Sequence, residues 1–285
     1  MLVMQFGINL WVWGAPITDD RIAERVPQAD RMGFDVVEFP LEEPGSFEYE
    51  QTRDLLDEHD LDSSVVLAMS EERDLLHDDP DVRENGRGYI RDSVDAAAAI
   101  GSDRVVGPAY STVGRTWRMS DVERETAVAD VADQLTDLAV YAEERDVTIC
   151  VEPLNRFETS VFNTAEQTIE LVDRVDHPNC QILLDTFHMN IEETSLAEAI
   201  RATGDRLGHL HACGNNRGAP GNDTIDWPSV VDALDYVGYD DQAVIESFTP
   251  EVESIARAAA IWRPLAESQD DLAADGLAAL QRYFG

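Results

Sequence analysis

Residues 181–185 read QILLD, residues 208–211 read GHLH and residues 243–246 read AVIE. Each is a short, largely apolar run that ends on a carboxylate or an imidazole. Runs this short without polar alternation suit parallel strands covered on both faces. The same form recurs upstream at Thr148–Glu152, Arg104–Gly107, Ser64–Ala68, Asp35–Phe39 and Gln5–Trp11, so eight such runs span the chain. Helical patterns separate them. Eight strands alternating with helices over 285 residues imply an α/β protein, a single (β/α)8 TIM barrel over residues 1–285, a fold that typically needs ~250 residues.

The connecting segments carry start and stop signals for helices. Ser120 with Glu123, Thr164 with Gln167 and Ser195 with Glu198 have capping-box spacing. Thr249-Pro250 reads as an N-cap with proline in the first turn. From Val122 to Arg145, residues Val128, Val131, Leu135, Leu138 and Ala142 recur at steps of three and four and are expected to line one buried face. An additional C-terminal helix is expected over about Leu272–Tyr283. The long acidic stretch Ser70–Gly86 reads as a loop, a candidate flap over the barrel mouth.

Composition narrows the function. The chain has 58 acidic and 21 basic residues, a net charge of −37, and every basic residue is arginine. An acidic, lysine-free surface resembles proteins of salt-loving organisms, where concentrated salt screens self-repulsion. It disfavours nucleic acid, which needs basic contacts to phosphate, and the missing lysine excludes a lysine Schiff base. No run approaches the ~20 apolar residues of a membrane span. The N-terminus, apolar but without a basic leader, reads as a first strand, and the expected location is cytoplasmic. Cys150, Cys180 and Cys213 form no CxxC pair and read as small buried thiols.

The chemistry lies at four consecutive strand ends. Glu152, Asp185, His211 and Glu246 are 33, 26 and 35 residues apart, close to one strand-and-helix unit each. Functional residues of such barrels sit where strands end and the βα-loops begin. A lone carboxylate there is often an ion-pair partner, and a lone histidine is often satisfied core. Three carboxylates ending apolar strands, however, need a shared countercharge. With no lysine available, a bound cation is the simplest one, and arginine is the alternative. Three carboxylates and one imidazole are mostly hard donors, so the expected cofactor is one divalent ion, Mn2+ first, with Mg2+ or Co2+ behind it. His209, two residues before His211, reads as a core histidine deeper in the barrel.

EPLNRFET (152–159), LLDTFHMNIEE (183–193), GHLHACGNNRGAPG (208–221) and VIESF (244–248) resemble the D-tagatose/D-psicose (allulose) 3-epimerase group of the sugar isomerase/epimerase barrels, with GFDVVEF (33–39) a weaker match. The likeness is dense in the C-terminal half. It implies that Glu152 and Glu246 are an acid/base pair as well as metal ligands, and that Glu158, His188 and Arg217 hold substrate oxygens. It also implies a small sugar partner and a homodimer or homotetramer. Two carboxylates suit inversion at C3 of a 2-ketose, because a proton removed from one face must return to the other. Two positions depart from the group: Asn9, where an aromatic residue is usual, and Val113, near which a tryptophan is usual. Both are expected to shape the far end of the sugar pocket. Trp11, Trp13, Trp117 and Phe248 are other candidate walls, Trp11 and Trp13 equally candidates for core packing. Arg217 leaves a sugar phosphate open as substrate. The alternatives are a hydroxypyruvate isomerase or inosose dehydratase type of enzyme, an aldose–ketose isomerase, a DNA-repair endonuclease on the same barrel, and a sugar-binding barrel without catalysis.

Overall fold

A computed structural model describes residues 4–285. Its strands are β1 (Gln5–Asn9), β2 (Val36–Pro40), β3 (Asp62–Val66), β4 (Arg104–Gly107), β5 (Thr148–Val151), β6 (Cys180–Asp185), β7 (Leu207–His211) and β8 (Gln242–Ile245). They pair in sequence order, all parallel, and β8 returns to β1, which closes the barrel. The α-helices are α1 (Asp19–Met32), α2 (Tyr49–His59), α3 (Pro80–Ile100), α4 (Asp121–Glu143), α5 (Ala165–Val175), α6 (Thr186–Glu192), α7 (Leu196–Thr203), α8 (Trp227–Val237), α9 (Glu253–Ala258) and α10 (Gln269–Phe284). The expected closing helix is α10, a few residues longer than its apolar core suggests, because Ser268 caps it through Asp271 N–H.

Alternation along the strands divides the core. Ile8, Val37, Val65, Val105, Ile149, Ile182, Leu210 and Ile245 belong to the large apolar layer shared with the helices. Val66, Val106, Cys150 and Leu183 form a separate cluster, against which Trp11 packs. All five expected apolar positions of α4 are buried, and Ser120 with Glu123 makes the complete capping box. Thr164 and Ser195 cap α5 and α7 through the N–H groups of Gln167 and Glu198.

Several boundaries differ from expectation. β1 stops at Asn9 because its side chain accepts Trp11 N–H at 2.8 Å and starts a 3-10 turn over Leu10–Val12. β3 begins at Asp62, earlier than Ser64, since backbone pairing with β2 holds its polar first residues. Thr249 does not cap a helix directly. Its hydroxyl accepts Glu251 N–H at 3.2 Å, and α9 starts at Glu253. The acidic segment expected as a loop to Gly86 becomes helix at Pro80, where Asp79 caps α3 and proline fills the first turn. What remains of it is pinned: Asp74 is buried and paired with Arg115 at 2.6 Å, and Arg73 donates to Glu42 O at 2.9 Å.

One irregularity bears on the site. The β6–β7 register shifts between Ile182 and Leu183 and skips Gly208. A Cβ at Gly208 would collide with Gln181 Oε1. The extra residue sets Leu183 opposite His209 and Asp185 opposite His211.

Candidate active site

Asp185 and His211 are the last residues of β6 and β7, and they face each other across that ladder. Glu152 and Glu246 each follow the last residue of β5 and β8, and Glu152 N–H still donates to Gly107 O at 3.0 Å. All four side chains are buried. His211 Nδ1 lies 3.6 Å from Glu246 Oε2, 3.9 Å from Asp185 Oδ2 and 4.0 Å from Glu152 Oε1. One donor atom from each of the four lies within 4.8 Å of the others.

This cluster fits a divalent cation. Glu152 Oε1 and His211 Nδ1 are buried without a hydrogen-bond partner, a costly condition that a central ion relieves. The arginine in contact with the cluster is Arg217, the alternative countercharge. Its Nη1 contacts Asp185 Oδ2, and its Nη2 is 2.7 Å from Glu246 Oε2. It therefore serves two of the three carboxylates and leaves Glu152 Oε1 unserved. The backbone of Arg217 holds φ +68°, unusual for a side chain other than glycine. Its guanidinium lies 4.5 Å from the Phe187 ring centre and 5.2 Å from that of Phe248.

Environment splits the carboxylates. Burial, reinforced by Glu246, raises Glu152 well above the ordinary range, and burial also raises Asp185. At Glu246 burial acts the same way, but Arg217 and His211 outweigh it and the net direction is down. Glu152 and Glu246 are thus shifted in opposite directions.

His188 and Glu158 are joined by a residue that sequence reasoning missed. Asn155 N–H donates to His188 Nδ1 at 2.9 Å, and Asn155 Nδ2 donates to Glu158 Oε1 at 2.7 Å. Burial, helped by Arg217, holds His188 well below the usual histidine range, so it is neutral. With Nδ1 accepting, its proton sits on Nε2. That atom lies 3.7 Å from Glu152 Oε1 and 3.3 Å from Arg217 Nη2. His188 and Arg217 therefore lie against the strand-end residues, and Glu158 is linked to His188 through Asn155.

Glu38 is the second residue missed. It is fully buried in β2 and takes contacts from four side chains. Oε1 accepts Asn9 Nδ2 at 2.8 Å and faces His211 Nε2 at 3.0 Å; Oε2 accepts Ser64 Oγ at 2.8 Å and faces His209 Nε2 at 3.2 Å. His209 is fully buried in the barrel. The available signal for Glu38 is an acid inside an apolar run, the argument that singles out Glu152.

Among the candidate walls, Asn9 is fully buried, with its amide committed to Glu38 and to Trp11 N–H. Trp13 belongs to the outer packing, with Nε1 donating to Asp270 at 2.7 Å and Arg25 over its ring. Trp11 does face Phe248, ring centres 5.6 Å apart.

Fold and site together define a closed (β/α)8 barrel with a candidate metal-binding cluster at the C-terminal ends of its strands. Residues 26–282 match the family described as xylose isomerase-like TIM barrel. The chain is 31% identical over 283 residues to the L-ribulose 3-epimerase of Methylomonas sp. (strain DH-1), covering 98% of both chains. It is 32% identical over 277 residues to the ketose 3-epimerase of Arthrobacter globiformis, covering 95% of this chain and 93% of that one. A crystal structure of D-allulose 3-epimerase from Methylomonas sp. in complex with D-allulose superimposes with a TM-score of 0.90 at 30% identity, covering 99% and 98% of the two chains. The protein therefore belongs to the xylose isomerase-like TIM-barrel family, in its ketose 3-epimerase group, and is an isomerase-class enzyme acting on sugars.

Proposed function

We propose that the protein epimerises C3 of a free ketohexose or ketopentose, of the D-tagatose, D-psicose (allulose), D-fructose or L-ribulose type, using one divalent ion held by Glu152, Asp185, His211 and Glu246. The observation that carries this reading is the convergence of those four donor atoms within 4.8 Å, with two glutamates among them. When bound, the ion, Mn2+ before Mg2+ or Co2+, supplies positive charge against the oxygens on C2 and C3 of the sugar. Glu152 and Glu246, on separate strands, face the two sides of C3. One removes its proton to give a cis-enediolate of the sugar, and the other returns a proton to the opposite side; reversing the reaction exchanges the roles. His188, with its proton on Nε2, donates a hydrogen bond to a substrate oxygen. Glu158 accepts one from a hydroxyl, held in place by Asn155. Arg217 swings its guanidinium from the carboxylates to the sugar's carbonyl end.

A panel of free ketohexoses and ketopentoses, assayed in D2O with added Mn2+ at high salt, tests the reading. Deuterium is expected at C3 of both recovered substrate and product. Incorporation at C1 with aldose formation would instead assign an aldose–ketose isomerase, and no turnover of any ketose would leave a binding protein.

A further inference from the structure

The four partners of Glu38 come from β1, β3 and β7, so its carboxylate ties three strands together one layer below the strand-end cluster. Each partner presents an N–H or O–H, and Glu38 supplies only acceptors. His209 and His211 both turn Nε2 toward it, at 3.2 and 3.0 Å. An imidazole that donates from Nε2 keeps its lone pair on Nδ1, and His211 Nδ1 is the atom that faces Glu246, Asp185 and Glu152, at 3.6, 3.9 and 4.0 Å.

We infer that Glu38 is a positioning residue: it fixes the ring orientation and tautomer of His211, so that Nδ1 is presented as a metal ligand. Asn9 and Ser64 hold the carboxylate in place, which explains why a polar amide stands at position 9. The role is one of alignment and added basicity at the ligand, as expected of a carboxylate behind a coordinating histidine. The inference rests on the ligand set proposed above, and the two fail in different ways.

Mn2+ binding is measured by calorimetry, without sugar, on the wild type, Glu38→Gln and His209→Gln, with folding checked by thermal melts of the metal-free proteins. Wild type is expected to bind one Mn2+ per chain. Glu38→Gln is expected to bind it about 10–100-fold more weakly, while His209→Gln, which touches only the other oxygen, stays within about threefold. Equal affinity in wild type and a folded Glu38→Gln overturns the role of Glu38, as does an equal loss in His209→Gln. Two ions per chain also overturn it, since Glu38 and His209 would then be ligands themselves. No Mn2+ binding by the wild type sinks the ligand set instead. Should Glu38→Gln fail to fold, nitrogen-15 histidine spectra of the Mg2+-loaded wild type decide. The proton of His211 is expected on Nε2, and a proton on Nδ1 overturns the inference.

Discussion

Arg217 Nη2 lies 2.7 Å from Glu246 Oε2 while Nη1 contacts Asp185 Oδ2, so one guanidinium bridges two strand ends inside a buried site. Removing one member of a buried ion pair leaves its partner uncompensated, typically at a cost of about 3–5 kcal/mol. Arg217→Met is therefore expected to lower the melting temperature of the metal-free protein, and added Mn2+ is expected to recover part of that loss. Melting curves with a chelator and with Mn2+ test this. An unchanged metal-free melt would mean that Arg217 does not balance these carboxylates.

Glu152→Gln and Glu246→Gln keep shape while removing the carboxylate proposed to transfer the proton. Each is expected to lower kcat on the best ketose by about 10^2–10^4. Deuterium exchange at C3, followed by NMR, checks the assignment. Either variant retaining wild-type exchange would remove that residue from the acid/base pair.

Removing the ion should be felt in stability as well as activity. A ligand at one hundred times its Kd stabilises the folded state by about 2.7 kcal/mol, and an ion at the proposed site would also relieve three crowded carboxylates. Saturating Mn2+ is expected to raise the melting temperature and EDTA to lower it. A melt insensitive to millimolar Mn2+ would count against the cluster as an ion site.

Burial pushes the thiols of Cys150 and Cys180 up to about 12 and that of Cys213 well above its ordinary value. A pKa raised by folding contributes stability that is present below the unfolded value, about 8.5, and lost as pH rises from there toward 12. Ellman's reagent at pH 8 is expected to find no reactive thiol in the native protein and three after denaturation. Above pH 9 the protein should become progressively easier to unfold. A fast-reacting native thiol would contradict the buried placement.

The four strand-end residues were legible in sequence because their position depends on where a strand stops, and an apolar run ending in an acid marks that point. His188, Glu158 and Arg217 were legible only through resemblance, since loop residues carry no periodicity. Asn155 and Glu38 escaped for a different reason. Their roles exist only where strands or loops distant in sequence converge, as when Asn9, Glu38, Ser64 and His209 meet across the barrel. The same convergence commits the Asn9 amide to Glu38. The supposed loop to Gly86 failed on one local detail, the Asp79-Pro80 cap that starts α3.

The direct pairing of Asp185 with His211 ties two proposed ligands to the barrel's own backbone ladder. A slip of either strand by a single residue would turn that strand's proposed ligand out of the barrel. Mutation of the rim loops around Asn155 and Arg217 is therefore expected to leave Asp185 and His211 where the ladder holds them. Directed evolution of new ketose preferences should accordingly find its gains in those loops and almost none in β6 or β7.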